Sequence, residues 1–247
     1  MSEAPATILD PHAPELPVPA TTPSRILRWF ELILVLLVAF TRSIQNAVYL
    51  LHHSPTPNVA IGSDRWILGL FHEIIALLLL GYVLSRRSGV LAGLQRLGLR
   101  WSFRDIGIGF LLWGVSRFVY IIVAGVVHLL LLALGHPPVT PTSAKEIFGH
   151  PGFAAIPFFL LTPLFEELIV RAYLMTEVLE LTGSSTLAIL LSVLLQASYH
   201  LYYGWAGAFY ISFIFLCFAL FYARTRRALP VVVAHGFQDI FGLIRLW

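Results

Sequence analysis

The sequence predicts an all-α fold, a polytopic helical membrane protein with seven or eight transmembrane helices around an internal cavity. Three observations carry this. Of 247 residues, 58% are hydrophobic and only 12% charged, and the mean hydropathy is +0.82. A soluble domain carries about 25% charged residues, so too few polar side chains exist here to cover a surface facing water. Apolar runs recur through the chain, and crossing the hydrocarbon takes about 20 such residues in a helix that satisfies its own backbone.

The 16 Lys and Arg exceed the 13 Asp and Glu by a small margin. That surplus is confined to particular loops, so it reports orientation rather than nucleic-acid binding. Cys217 is the single cysteine and lies in an apolar run. An intrachain disulfide and a cysteine-rich metal site are therefore excluded.

Residues 1–24 hold six of the fifteen prolines and no sustained apolar run, which predicts a disordered N-terminal tail. The basic pair Arg25 and Arg28 follows this tail, and the next apolar run is too long for the core of a cleavable signal peptide, so the first membrane segment is expected to be retained. Helices are predicted over 26–50, 66–84, 105–135, 153–181, 186–203, 206–223 and 230–246. The chain then divides into the tail, N-terminal transmembrane helices over 25–149 and a second helical region over 150–247. Pro157 and Pro163 fall in the fourth helix, where each removes a backbone donor and favours a kink or break. An eighth or re-entrant segment is expected there, if anywhere.

Ten of the sixteen basic residues (Arg25, Arg28, Arg86, Arg87, Arg96, Arg100, Arg104, Arg224, Arg226 and Arg227) fall on one side of the membrane under this count. The positive-inside rule makes that side cytoplasmic, and the N-terminus with it. The stretch from Arg86 to Arg104 is expected to include a short amphipathic piece on the membrane surface. No internal repeat is visible, which argues against an inverted-repeat transporter.

Ionisable residues inside the predicted spans are the most informative feature. Each costs about 2.5–3.5 kcal/mol at the bilayer centre on insertion scales, so each needs a partner or a wet cavity. Three helices present them: Glu166, Glu167 and Arg171 in the fourth, Gln196 and His200 at the end of the fifth, and His235 and Asp239 in the seventh. Glu167 and Arg171 are four apart and stack on one helical face as an ion pair. Glu166 is rotated from Glu167 by about 100° and is left to face a reacting molecule. His235 and Asp239 are also four apart, so the carboxylate can orient the ring. His72, Glu73 and Arg117 are membrane-embedded too; a supporting ion pair across the second and third helices is the plainer reading, and a place flanking the internal cavity the other. Glu177 and Glu180 are expected toward the end of the fourth helix, within reach of water.

Glu166-Glu167-x-x-x-Arg171, a later helix ending in His200, and His235-x-x-x-Asp239 resemble the three ordered motifs of the CAAX protease and bacteriocin-processing family of intramembrane endopeptidases, which includes the type II CAAX prenyl endopeptidases. The resemblance covers roughly residues 150–247. It implies a catalytic cavity in which Glu166 and His200 activate the attacking water while His235 and Asp239 stabilise the oxyanion, with Glu167 and Arg171 in support. It implies a hydrophobic or prenylated polypeptide substrate, membrane lipid as surroundings, no nucleic-acid partner and a multi-pass place in a bacterial inner membrane. The family's second motif usually carries phenylalanine four residues before its histidine. Here that position is Gln196, placed to hydrogen-bond His200 or change the polarity of the pocket. The third motif usually ends in asparagine, so Asp239 adds a negative charge beside His235.

Peptide hydrolysis needs an activated water, a proton donor for the leaving amine and donors for the oxyanion, all of which a Glu/His/His set supplies without a cofactor. The cofactor alternative is a catalytic zinc held by Glu166, His200 and His235, although His-Glu-x-x-His spacing is absent. The functional alternative is a proton-coupled carrier or a non-enzymatic scaffold using the same buried charges. One tension accompanies the motif reading. Seven straight helices put His235 near the cytoplasmic end and His200 near the outer end, about 15 Å apart, so convergence calls for a broken or re-entrant helix.

Overall fold

The computed structural model describes residues 23–53, 63–137 and 139–246. Of the tail expected over residues 1–24, all but the last two lie outside these. The described residues are helical throughout, with no strand among them. The chain runs through α1 (Arg25–His52), α2 (Ser63–Ser88), the short α3 (Val90–Arg96), α4 (Phe103–Ala133) and the short α5 (Ala144–Phe148). It continues through α6 (Ala155–Glu166), a π-helical stretch (Glu167–Leu174) and α7 (Met175–Thr182), which follow one another without a break, then α8 (Ser185–Tyr199), a 3₁₀ turn (Leu201–Tyr203), α9 (Gly204–Thr225) and α10 (Leu229–Ile244).

Local chemistry sets several of these boundaries. The Ser24 hydroxyl accepts from the Leu27 amide at 3.2 Å at the start of α1, and Ser184 does the same for Leu187 at α8. Ser143 and Glu146 form a reciprocal capping box on α5. Gly183 ends α7 in the left-handed conformation at φ 73°. Proline in the first turn of α10 costs no hydrogen bond, because that turn has no intrahelical acceptor.

Three helices, Ser63–Ser88, Phe103–Ala133 and Leu201–Thr225, are long and apolar enough to cross a membrane, and Ser185–Tyr199 and Leu229–Ile244 are apolar but shorter. Their outward faces carry large hydrophobic side chains: Leu111, Phe118, Ile121 and Leu129 on α4 are all more than half exposed. Lipid is the solvent such a surface fits, and the protein is an integral membrane protein.

The helix α6–π–α7 is the central strut. All eight residues of its π-helical stretch are buried, and α1, α8, α9 and α10 pack around them. At the basic end of the bundle, ion pairs tie neighbouring helices together. Arg28 pairs with Glu177 and Glu180, Arg87 bridges Glu31 and Glu177, and Arg96 reaches Glu180. Across the same end Arg227 pairs with Asp105. The Gly98 carbonyl accepts from the Ala228 amide, and Gly98 itself sits at φ 79° against the Arg226 carbonyl, where a Cβ has no room.

Several expectations are corrected here. The helix does not break at Pro157 or Pro163; both lie inside α6, which runs on into the π-helical stretch. Glu177 is not a water-facing residue: it is 2% exposed and held between Arg28 and Arg87. His72, Glu73 and Arg117 form no ion pair with one another among the described residues. His72 Nε2 meets the Ala39 carbonyl, Glu73 takes the Thr162 hydroxyl, and the Arg117 guanidinium lies over the Tyr120 ring at 5.0 Å. Within Arg86–Arg104, where an amphipathic piece is expected, the chain forms the short α3.

Candidate active site

The strut supplies the first part of the site. Glu167 and Arg171 are fully buried and approach to 3.5 Å, the ion pair that their spacing predicts. Arg171 also donates from Nη2 to the Phe215 carbonyl at 3.3 Å and lies over the Phe215 ring at 5.4 Å. Glu166 is the last residue of α6 and Glu167 the first of the π-helical stretch, whose wider turns appear as short insertions in α-helices, often at functional sites. Here the two neighbouring carboxylates share one donor: the Gln196 amide gives hydrogen bonds to Glu166 Oε2 at 3.1 Å and to Glu167 Oε1 at 3.3 Å.

Glu166 is therefore not without partners, as helical spacing alone suggests. Besides Gln196 it accepts the Tyr199 hydroxyl at 2.7 Å. Both partners come from α8, where Gln196 and Tyr199 are three apart and face the same way. In the sequence Tyr199 stands with Tyr202, Tyr203 and Trp205, an aromatic-rich end of the kind that forms an interfacial belt. It is instead 4% exposed and stacked on Phe40, with ring centroids 4.9 Å apart. The one available signal was its spacing from Gln196.

His200 is the C-cap of α8, and its Nδ1 lies 2.9 Å from the Gln196 carbonyl. Gln196 thus meets His200 through its backbone, while its side chain serves the two glutamates. With Nδ1 committed, the ring presents Nε2 as its remaining polar atom. From α10, His235 Nδ1 lies 2.8 Å from Glu167 Oε1 and Nε2 lies 3.6 Å from Asp239 Oδ1. The nearer contact of His235 is therefore with Glu167 on another helix, whereas the pattern predicted Asp239 in that place.

The two histidines lie close together in the structure. Both pack on the ring of Phe215, at 4.8 Å for His200 and 6.5 Å for His235 between centroids. α8 ends at Tyr199, short of the predicted limit at residue 203, and His200 caps it. Among the described residues no group of three or more His, Cys, Asp or Glu side chains is placed to hold a metal ion. The hydrogen bonds within the site occupy Glu166 Oε2 and one nitrogen of each ring.

Fold and site define a polytopic helical membrane protein whose interior gathers carboxylates and imidazoles from α6, the π-helical stretch, α8 and α10. Residues 148–241 match the family described as Type II CAAX prenyl endopeptidase Rce1-like, and the resemblance read from the three motifs is shown over that region. The match associates this part of the chain with CAAX-type intramembrane endopeptidases in general. No curated protein and no solved structure matches the chain.

Proposed function

We propose that this protein is an intramembrane endopeptidase that hydrolyses a peptide bond in a hydrophobic or prenylated polypeptide, with Glu166 and His200 activating water and His235 stabilising the oxyanion. The observation that supports this best is the shared bonding of three helices: the Gln196 amide on both carboxylates, Tyr199 on Glu166 and His235 on Glu167. These bonds fix a base and a donor in an enclosure largely closed to water, where electrostatic stabilisation is strongest.

In this reading water attacks the scissile carbonyl carbon and gives its proton to Glu166 Oε1, the oxygen left open by Tyr199 and Gln196. His200, anchored at Nδ1, orients that water through Nε2. The C–O bond forms and the carbonyl oxygen takes the negative charge, which the Nε2 edge of a protonated His235 stabilises. When the intermediate collapses the C–N bond breaks, and Glu166 returns its proton to the leaving amine. Glu167 and Arg171 hold His235 and balance charge, and Asp239 lies beside the same ring. No step in this sequence passes through a metal.

The natural setting follows from the same reading: a multi-pass protein with a cytoplasmic N-terminus, working on a lipid-modified or otherwise hydrophobic peptide. The test is cleavage of prenylated and unmodified hydrophobic peptides by the purified full chain, with and without a chelator. Glu166→Ala and His200→Ala are each expected to abolish turnover while the fold is kept, and chelation to leave it unchanged. Undiminished cleavage by both variants overturns the assignment.

A further inference from the structure

The three motifs and the family match leave α2 out, yet α2 brings a carboxyl group to the same interior. Glu73 is 3% exposed. Its Oε1 takes the Thr162 hydroxyl at 2.6 Å, which fixes the side chain against α6. Its Oε2 is buried and has no hydrogen-bond partner among the described residues, and no cation pairs with the group there. Thr162 lies one turn before Glu166 on α6, so Glu73 belongs to the polar interior rather than to the lipid face of α2. A buried acceptor left open is costly, and more so at membrane depth.

We propose that Glu73, held by Thr162, is a substrate-positioning residue whose Oε2 accepts a main-chain N–H of the bound peptide. The inference rests on the endopeptidase reading for what occupies the site. An extended peptide entering a dry interior carries its amide donors with it, and each needs an acceptor. His235 addresses the carbonyl oxygen, and Glu166 and His200 are committed to water. Glu167 is taken by His235, Gln196 and Arg171. Gln196 Oε1 and Gln238 Oε1 are open as well, but as neutral amides they are weaker acceptors than a carboxyl oxygen such as Glu73 Oε2.

Glu73→Met keeps the length of the side chain and removes the acceptor. The expected result is a KM raised roughly tenfold to a hundredfold with kcat little changed, as loss of uniform binding requires. The substrate series replaces each amide N–H in turn by an ester oxygen. The wild-type chain is expected to lose affinity at one position, and Glu73→Met to lose nothing further there. Binding of the same peptides to the full chain in lipid nanodiscs is measured in parallel. If Glu73→Met leaves binding and KM unchanged, or every ester penalty persists in the variant, the proposal is wrong. If the wild-type chain binds the peptides in a Glu73-dependent way but cleaves none of them, the endopeptidase reading falls and the binding role stands. If the wild-type chain neither binds nor cleaves any of the peptides, both fall.

Discussion

Arg171 is the residue on which the buried charge of the site most depends. It is fully enclosed, and its partners are the Glu167 carboxylate, the Phe215 carbonyl and the Phe215 ring. Removing one member of a buried pair leaves an uncompensated charge, at a cost of about 3–5 kcal/mol. Arg171→Met is therefore expected to lower the thermal unfolding midpoint in detergent sharply. The double variant Glu167→Gln with Arg171→Met is expected to recover part of the loss, since no lone carboxylate is then left behind. At this scale the sequence was readable where a contact is local: the four-residue spacing of Glu167 and Arg171 was enough to predict their pairing. The hydrogen bonds of Glu166 were not readable. Tyr199 and Gln196 are 33 and 30 residues away and reach it only through the packing of α8 on the strut.

The elements decide where the side chains point. Along α4 the glycines differ in what surrounds them. A Cβ on Gly109 meets the Val233 side chain at 2.6 Å and the Pro230 carbonyl at 2.8 Å, whereas Gly107 and Gly114 have nothing within 4 Å. Gly109 is thus the close approach of α4 to α10, two residues of chain from His235 at Val233. Overpacking there costs about 1–3 kcal/mol and has to displace α10. Gly109→Leu is expected to lower both the unfolding midpoint and peptide cleavage. Gly107→Ala on the same helix is expected to leave both intact or to raise stability slightly, because alanine favours helix by about 1 kcal/mol over glycine. Equal effects of the two substitutions contradict the packing argument. The helices themselves were legible from apolar length, and the seven long helical stretches lie within a few residues of their predicted limits. The π-helical stretch and the early end of α8 were not. Each is set by what packs against the helix, and both matter to the site, one by bringing adjacent glutamates to a common donor and the other by making His200 the C-cap of α8.

For the molecule as a whole, charge is arranged by depth. Arg87 is 7% exposed at its side chain and bridges Glu31 on α1 with Glu177 on α7, while Arg86 beside it is 50% exposed. Arg87→Met leaves Glu31 with Arg86 alone and Glu177 with Arg28 alone, and is expected to cost more than Arg86→Met, whose half-exposed pair is worth less than about 1 kcal/mol. Unfolding of both variants in the same detergent checks the ranking, and a reversed order removes the clamp. The same end carries the clustered arginines. With Cys217 replaced, a single cysteine at exposed Arg100 is expected to react with an impermeant thiol reagent only from the cytoplasmic side. The sequence by itself determined that this is a helical membrane protein, roughly where its helices lie, and which acids and histidines are too costly at depth to be accidental. Composition, run length and i,i+4 spacing are properties of contiguous chain. Only the tertiary structure decided that His235 bonds to Glu167, that Gln196 serves two carboxylates, and that Glu73 of α2 joins them. Those contacts link side chains about 30 to 90 residues apart in sequence, and their geometry follows from how helices of unequal length pack, which no local pattern encodes.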